Sequence, residues 1–397
     1  MTPRVMDAPG AVGTAAFRVP GSVRWARTLL GRTPPETLSW HYENALLLLA
    51  ADRAGRVHGD PDLGTAARRF VDARVDGEGR IEGYREGEYN LDQINPGRLL
   101  LLHPESGTPR LRTASMRLLD QLDRQPRCPS GGYWHKRIYP DQMWLDGLYM
   151  AGPFAAAWGL RYGRPERFDE AVRQFRLAWE RTRDERTGLL YHAWDESRRQ
   201  LWSRPDTGCS PNFWGRAIGW YAMALVDVLD YLPRDHEGRG ILTEFLRRLA
   251  AAVLRYQDPE SGLWHQVVDQ GSRAGNYPET SASAMFAYAF AKASRKGLLA
   301  GRDAEEAAAS ASRARAGIGR LMVREGPDGP VLEGICAVAG LGGDPYRDGS
   351  FEYYASAPRK PDDPKGTGPY ILALLEAEAR DDPDAAAALV RAEEAVE

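Results

Sequence analysis

The sequence predicts an all-α protein, an (α/α)6 six-hairpin barrel with short hairpin loops at one mouth. Three observations predict it. Six strongly apolar helical segments alternate with six amphipathic ones, convincing period-two strand runs are lacking, and Gly- and aromatic-rich loops precede the apolar helices. The unit recurs every ~50–90 residues, the spacing of supersecondary repeats that cannot bury their apolar faces alone. Apolar helices inside amphipathic ones suggest a ring within a ring; an open solenoid would share the pattern.

The amphipathic, outer segments fall at 23–30, 62–73, 109–122, 165–183, 239–256 and 302–323. The apolar, inner ones fall at 39–51, 96–103, 145–160, 211–232, 280–293 and 366–379. The last outer segment holds an Ala/Glu-rich run, 304–311, built of strong helix formers. One barrel spans residues 1–397, with 1–20 as a flexible N-terminal segment.

The third inner helix carries the most informative stretch, 139–160. Asp146 sits among Met143, Trp144, Leu145, Leu148, Tyr149 and Met150, and no polar face is visible. A carboxylate there is costly to bury unless paired or protonated, and a protonated carboxyl is what a general acid needs. The bland alternative is a helix-start residue accepting main-chain N–H bonds. Pro153 should bend this helix.

Composition narrows the function classes. At 43% hydrophobic and 27% charged the chain is ordinary globular material, and a net charge of −3 argues against nucleic acid as a partner. Cys128, Cys209 and Cys336 are far apart, without CxxC spacing, which fits a reducing compartment and no zinc site. The first thirty residues lack a basic start followed by an apolar run, and the longest apolar run, 45–51, is too short for a bilayer. A cytoplasmic enzyme without a membrane partner is expected, monomeric or weakly homo-oligomeric.

The loops repeat a local chemistry. GGYWHKR at 131–137, TGLLYHAWDES at 187–197 and SGLWHQVVDQ at 261–270 each run from a glycine turn into an apolar-aromatic-His segment, which puts His135, His192 and His265 at one end of the barrel. HxH or HxxxH spacing is absent, so a metal site is weakly supported, and His265 reads best as satisfying local main-chain groups. Asn95 and Pro96 read as a helix start with Asp92 in the loop before it, and Ser210 and Pro211 read the same way. Trp214 and Trp220 bracket Arg216. The indoles could stack on a sugar ring whose carboxylate pairs with the guanidinium, although Trp220 alone reads as a core aromatic. Arg216 in so apolar a helix needs a partner.

LDQINPGR at 91–98, YPDQMWLDGLYM at 139–150, CSPNFWGRAIGWYAMALVDVLDYLP at 209–233 and DDPKGTGPYILALLEA at 362–377 resemble glycoside hydrolase family 105, the unsaturated rhamnogalacturonyl hydrolases, similar also to the unsaturated glucuronyl hydrolases of family 88. The resemblance runs from about Tyr42 to Leu375, with the motifs in family order. It implies an (α/α)6 barrel, with Asp146 as general acid/base and Asp92 as the second catalytic carboxylate. His135, His192, Trp214, Arg216 and Trp220 fall on substrate-contacting positions, and Tyr42 and Met150 on less specific ones; His265 matches none.

The implied reaction releases 4-deoxy-hex-4-enuronic acid from the non-reducing end of lyase-generated oligosaccharides by hydrating its C4=C5 vinyl ether, without cofactor or metal. Asp146 would protonate C4, and water, deprotonated by Asp146 or steered by Asp92 and His192, would add at C5. Two alternatives stay open: a conventional inverting glycosidase or sugar epimerase using the two carboxylates as acid and base, and a non-catalytic oligosaccharide-binding protein.

Overall fold

The computed structural model describes residues 19–394, so all but the last two residues of the expected N-terminal segment lie outside the described residues. In chain order the elements are α1 (Gly21–Arg32), α2 (Tyr42–His58), the one-turn α3 (Pro61–Gly64), α4 (Ala66–Arg74), α5 (Gly97–Leu102), α6 (Pro109–Arg124), β1 (Gln142–Trp144), α7 (Leu145–Arg161), α8 (Glu166–Thr182), β2 (Ala193–Asp195), α9 (Gly215–Tyr231), α10 (Glu237–Leu254), α11 (Thr280–Arg295), α12 (Gly301–Leu321), β3 (Val323–Gly326), β4 (Gly329–Leu332), α13 (Phe351–Ser356), α14 (Pro364–Asp381) and α15 (Pro383–Glu394).

Helices α2, α5, α7, α9, α11 and α14 each pack on the next, and α14 packs back on α2. That closes the ring and rules out the open solenoid. Outside it, α1, α4, α6, α8, α10 and α12 cover the inner helices. The two classes differ as helix physics requires. Every residue of α9 except Asp230 is buried, because inner helices have neighbours on all sides. The outer α6 buries one stripe: Leu111, Ala114, Ser115, Leu118, Leu119, Gln121 and Leu122. Pro153 lies inside α7, which continues to Arg161.

Two expected helix starts are shifted. Helix α5 begins at Gly97 with Pro96 as its cap, while Asn95 Nδ2 donates to the Tyr149 carbonyl. Asn90 caps the separate 3-10 turn Leu91–Gln93 that precedes α5, accepting from the Asp92 N–H at 3.0 Å. Helix α9 begins at Gly215, four residues after the expected start. The intervening main chain is committed elsewhere: Ser210 N donates to Ala193 O, Trp214 bridges Val267, and Gly215 N donates to Gln266 O. Such bonds are unavailable to a helix, and sequence pattern does not reveal them.

The mouth loops form short turns tied to one another rather than independent hairpins. Strand β1 pairs antiparallel with β2, Met143 opposite Trp194, so the loop before α7 is welded to the loop before α9. The hairpin β3–β4 and the terminal helix α15 were not anticipated by the sequence pattern. Helix α15 packs on α2 and α14 and brings Glu393 to Arg295, Lys296 and Lys292.

A polar network fills the ring between mouth and base. Asp227 accepts from Arg98, Tyr288 and Lys292 at 2.8, 2.7 and 2.8 Å. Burial alone would raise the Asp227 pKa, but Lys292, Arg98 and Arg53 outweigh it and hold the group far below the usual carboxylate range. Arg98 also donates to Tyr149 Oη, whose ring stacks on Trp220 at 4.9 Å. Arg98 and Asp227 thus hold each other inside the barrel.

Candidate active site

Two turns built on the same plan deliver side chains to the mouth. After α8, Gly188 N donates to Asp184 O, Asp184 N donates to Leu189 O, and Thr187 Oγ1 accepts from Leu189 N. After α10, Gly262 N donates to Asp258 O, Asp258 N donates to Leu263 O, and Ser261 Oγ accepts from Leu263 N. Both glycines sit at positive φ, 75° and 76°, where a side chain is strained. Counting on from them, His192 corresponds to Gln266, and His265 corresponds to Tyr191. In extended chain a one-residue slip turns a side chain to the other face. His265 accordingly packs against Gly271 near Asp258, away from the carboxylates. Gln266 is fully buried in the aromatic layer, accepting from Trp214 Nε1 at 3.1 Å and donating to the Tyr354 carbonyl.

Asp146 stands in the first turn of α7, yet it makes no capping bond; Trp144 is the cap residue and contributes no side-chain bond either. Capping is therefore not its role. Its side chain is 15% exposed, with Oδ2 buried 3.2 Å from His192 Nε2. The pair is close but misaligned, since both atoms lack a well-directed hydrogen bond. Such looseness is common at catalytic pairs before substrate binds. On its other side His192 meets Tyr354 Oη through Nδ1 at 2.7 Å. Its ring is held between Trp144 at 5.1 Å and Trp214 at 4.7 Å.

Asp92 is nearly fully buried in the turn before α5, with Lys136 Nζ at 2.6 Å, His135 Nε2 at 3.5 Å and His41 Nε2 at 4.0 Å. Burial would raise its pKa, but Lys136, then His135 and His41, overcome this and hold it below the usual value. Lys136 is correspondingly raised, since Asp92 more than offsets its own burial. The two carboxylates thus differ in kind: Asp92 has an ammonium bound to it, and Asp146 has neither Lys nor Arg as a partner.

The remaining expected residues divide. His135 is buried, stacked on Trp144 at 4.9 Å, and pushed by burial to a pKa of about 4, which leaves it neutral near pH 7. Its Nδ1 lacks a hydrogen-bond partner. Tyr42 opens α2, half-buried, in electrostatic reach of both Asp92 and Asp146, with burial raising its pKa well above 10. Trp220 lies fully buried beneath Tyr42 at 5.8 Å, as a core aromatic would. Met150 is buried one turn below Asp146 on the same helical face.

Arg216 departs from its expected position. Instead of awaiting a ligand carboxylate, it is 1% exposed and pairs with buried Glu279 at 3.6 Å. It also donates to Ser281 Oγ at 2.8 Å and to the Cys336 carbonyl, and its guanidinium lies 5.5 Å from the Trp214 ring centre. Its need for a partner is met inside the protein.

Sequence reasoning missed Lys136, His41, Gln266 and Tyr354. Lys136 follows His135 in the quoted loop and could have been found as a lone ammonium among aromatics. Tyr354 arrives from α13, 162 residues beyond His192, with no local signal. Among the described residues, groups of three or more His, Cys, Asp or Glu placed to hold a metal are absent.

Comparison with known proteins places the chain. Residues 26–380 match the Glycosyl Hydrolase Family 88 family. A protein of Agrobacterium fabrum is 46% identical over 57% of this chain and 97% of its own length. An unsaturated rhamnogalacturonyl hydrolase of Bacillus subtilis is 34% identical over 57% of this chain and 67% of its own. The structure of a family 105 glycoside hydrolase from C. acetobutylicum superposes with a TM-score of 0.86 at 40% identity, covering 90% of this chain and 99% of that one. The chain is therefore a glycoside hydrolase, belonging to Glycosyl Hydrolase Family 88 and, within that kinship, standing with the family 105 enzymes.

Proposed function

We propose that this enzyme removes 4-deoxy-hex-4-enuronic acid from the non-reducing end of lyase-generated oligosaccharides by hydrating the C4=C5 bond, with Asp146 as acid and Asp92 as the second carboxylate. The observation that carries the assignment is the asymmetry of the pair. A carboxyl that must arrive with a proton cannot have an ammonium bound to it, and Asp146 has none, whereas Asp92 does. The same asymmetry disfavours a conventional inverting mechanism, because Asp92, held anionic below the usual range, is a weak general base.

The steps follow from vinyl ether chemistry. Asp146 delivers its proton to C4, and the ring oxygen stabilises the cation at C5. Water adds at C5 and loses a proton to the Asp146 carboxylate, restoring the acid. The hemiketal opens by breaking the bond between C5 and the ring oxygen, giving a C5 ketone and a hemiacetal at C1. That hemiacetal then expels the aglycone and leaves an aldehyde. Asp92, kept anionic, accepts from sugar hydroxyls and orients the ring; His135 and His192 flank the two carboxylates, and the edge of Tyr42 faces the sugar. Trp214, Arg216, Trp220 and Met150 form the wall and floor behind them.

Rhamnose as the first aglycone sugar is the reading carried over from the Bacillus subtilis relative. One barrel acts as the whole catalytic domain, in the cytoplasm, as a monomer or weak homo-oligomer; no helix among the described residues is long and apolar enough to cross a membrane. The test is to incubate the enzyme with unsaturated lyase products and their saturated counterparts, following near-UV absorbance and aglycone release. Absorbance loss with the unsaturated set alone is expected. Cleavage of the saturated set would favour the inverting alternative, and binding without turnover would favour a non-catalytic role.

A further inference from the structure

The hydroxyl of Tyr354 has one polar neighbour of consequence. Tyr354 comes from α13 and is fully buried. Its ring stacks on Trp214 at 5.7 Å, and Oη lies 2.7 Å from His192 Nδ1. Burial raises its pKa well above 10, so the phenol keeps its proton at neutral pH. Were Nδ1–H the donor, the buried phenol O–H would have no acceptor of its own, so the phenol donates, and a neutral imidazole that accepts at Nδ1 carries its proton on Nε2. Asp146 Oδ2 then faces an N–H-bearing nitrogen 3.2 Å away, out of line for a hydrogen bond in this structure and of the kind that tightens when substrate binds.

This orientation has a consequence for Asp146. Its Oδ2 is fully buried, so the exposure of the carboxyl lies toward Oδ1. As the contact tightens, an N–H on this nitrogen leaves Oδ2 only the role of acceptor. The acidic proton of the neutral carboxyl then resides on Oδ1, the oxygen open to solvent. With the other tautomer, His192 would accept from Oδ2–H and hold the proton in the wall. We propose that Tyr354 is a positioning residue: by donating to His192 Nδ1 it fixes the Nε2–H tautomer, and so keeps the transferable proton of Asp146 on the oxygen that faces the substrate.

The inference rests on Asp146 being the acid, yet the tautomer can be measured without turnover. In enzyme labelled with ¹⁵N-histidine, two-bond ¹H–¹⁵N spectra separate a protonated ring nitrogen from an unprotonated one, and the His192→Gln spectrum assigns the signals. Expected in the wild type is an unprotonated Nδ1 and a protonated Nε2 for His192. In Tyr354→Phe, which keeps the ring stacked on Trp214, that pattern should shift toward tautomer exchange. Turnover in the same variant should fall ~10-fold with KM within about twofold, since a misplaced proton affects the chemical step and not binding. A wild-type His192 protonated at Nδ1 overturns the proposal, as does a Tyr354→Phe enzyme with unchanged spectrum and kcat. If Tyr354→Phe fails to fold, the wild-type spectrum alone decides. If the wild type proves inactive on enuronates, the function falls while the tautomer is still read.

Discussion

Replacing Lys136 by methionine should destabilise the fold in a pH-dependent way, because it removes the cation from a buried carboxylate without removing much apolar volume. Asp92 is 8% exposed at its side chain and Lys136 24%, with 2.6 Å between them. Breaking a buried pair from one side costs ~3–5 kcal/mol; the partial exposure of Lys136 puts this one near the lower end, about 3 kcal/mol at pH 7. In the wild type the Asp92 pKa lies below its unfolded value of about 3.9, so its contribution is present above pH ~4 and lost as pH falls through the folded pKa. In Lys136→Met, burial acts with less opposition and raises that pKa, so the variant regains stability as acidification protonates Asp92. Urea unfolding of both proteins at pH 7 and pH 5 measures this; groups away from the pair cancel in the difference, and His135, whose pKa Lys136 helps to lower, shifts the gap in the same direction. The gap between them should narrow at pH 5. A gap that stays constant, or a variant as stable as wild type at pH 7, would refute the view that Lys136 holds Asp92 as an anion.

Other expectations follow from the same geometry. Asp146→Asn should lower kcat by ~10²–10⁴-fold while calorimetric affinity for an unsaturated disaccharide persists; near-normal turnover would end its assignment as acid. Arg216→Ala should lose stability by ~3–5 kcal/mol, read by denaturant titration, because Glu279 stays buried without its cation. His265→Ala should leave turnover within about twofold, whereas Gln266→Ala orphans the buried Trp214 Nε1 and should cost ~1–3 kcal/mol along with activity. Equal effects of those two substitutions would contradict the register drawn for the loop after α10.

The apolar and amphipathic helices were legible because burial on all sides or on one face is written directly into residue spacing. The carboxylate proposed as the acid stood out for a related reason: inside the run from Met143 to Met150 it conflicts with its surroundings, and such conflicts concentrate at sites. Partners were not legible. Arg216 announced that it needed a counter-ion, yet Glu279 lies 63 positions on, and without it the guanidinium looked free for a ligand. The helix start at Pro211 carried a good local signal that lost to bonds between loops, and the start at Pro96 moved by one residue while Asn95 turned its amide to the Tyr149 carbonyl in α7. His265 shows the finest failure. Its loop resembles that of His192 residue for residue when histidines are aligned, but the turn bonds align the glycines, and the shift of one residue reverses which side chain enters the site. Helix α15 lay beyond the matched motifs, although Pro383 and the alanines that follow were a readable start.

In the proposed reaction, cleavage proceeds by adding water across C4=C5 and not by displacement at C1. Proton NMR of an unsaturated disaccharide turning over in D₂O tests it at early times. The vinylic H4 signal should vanish in step with aglycone release, and one face of C4 should gain a single deuteron, delivered by Asp146. Aglycone appearing while the released sugar keeps its vinylic H4 would contradict it.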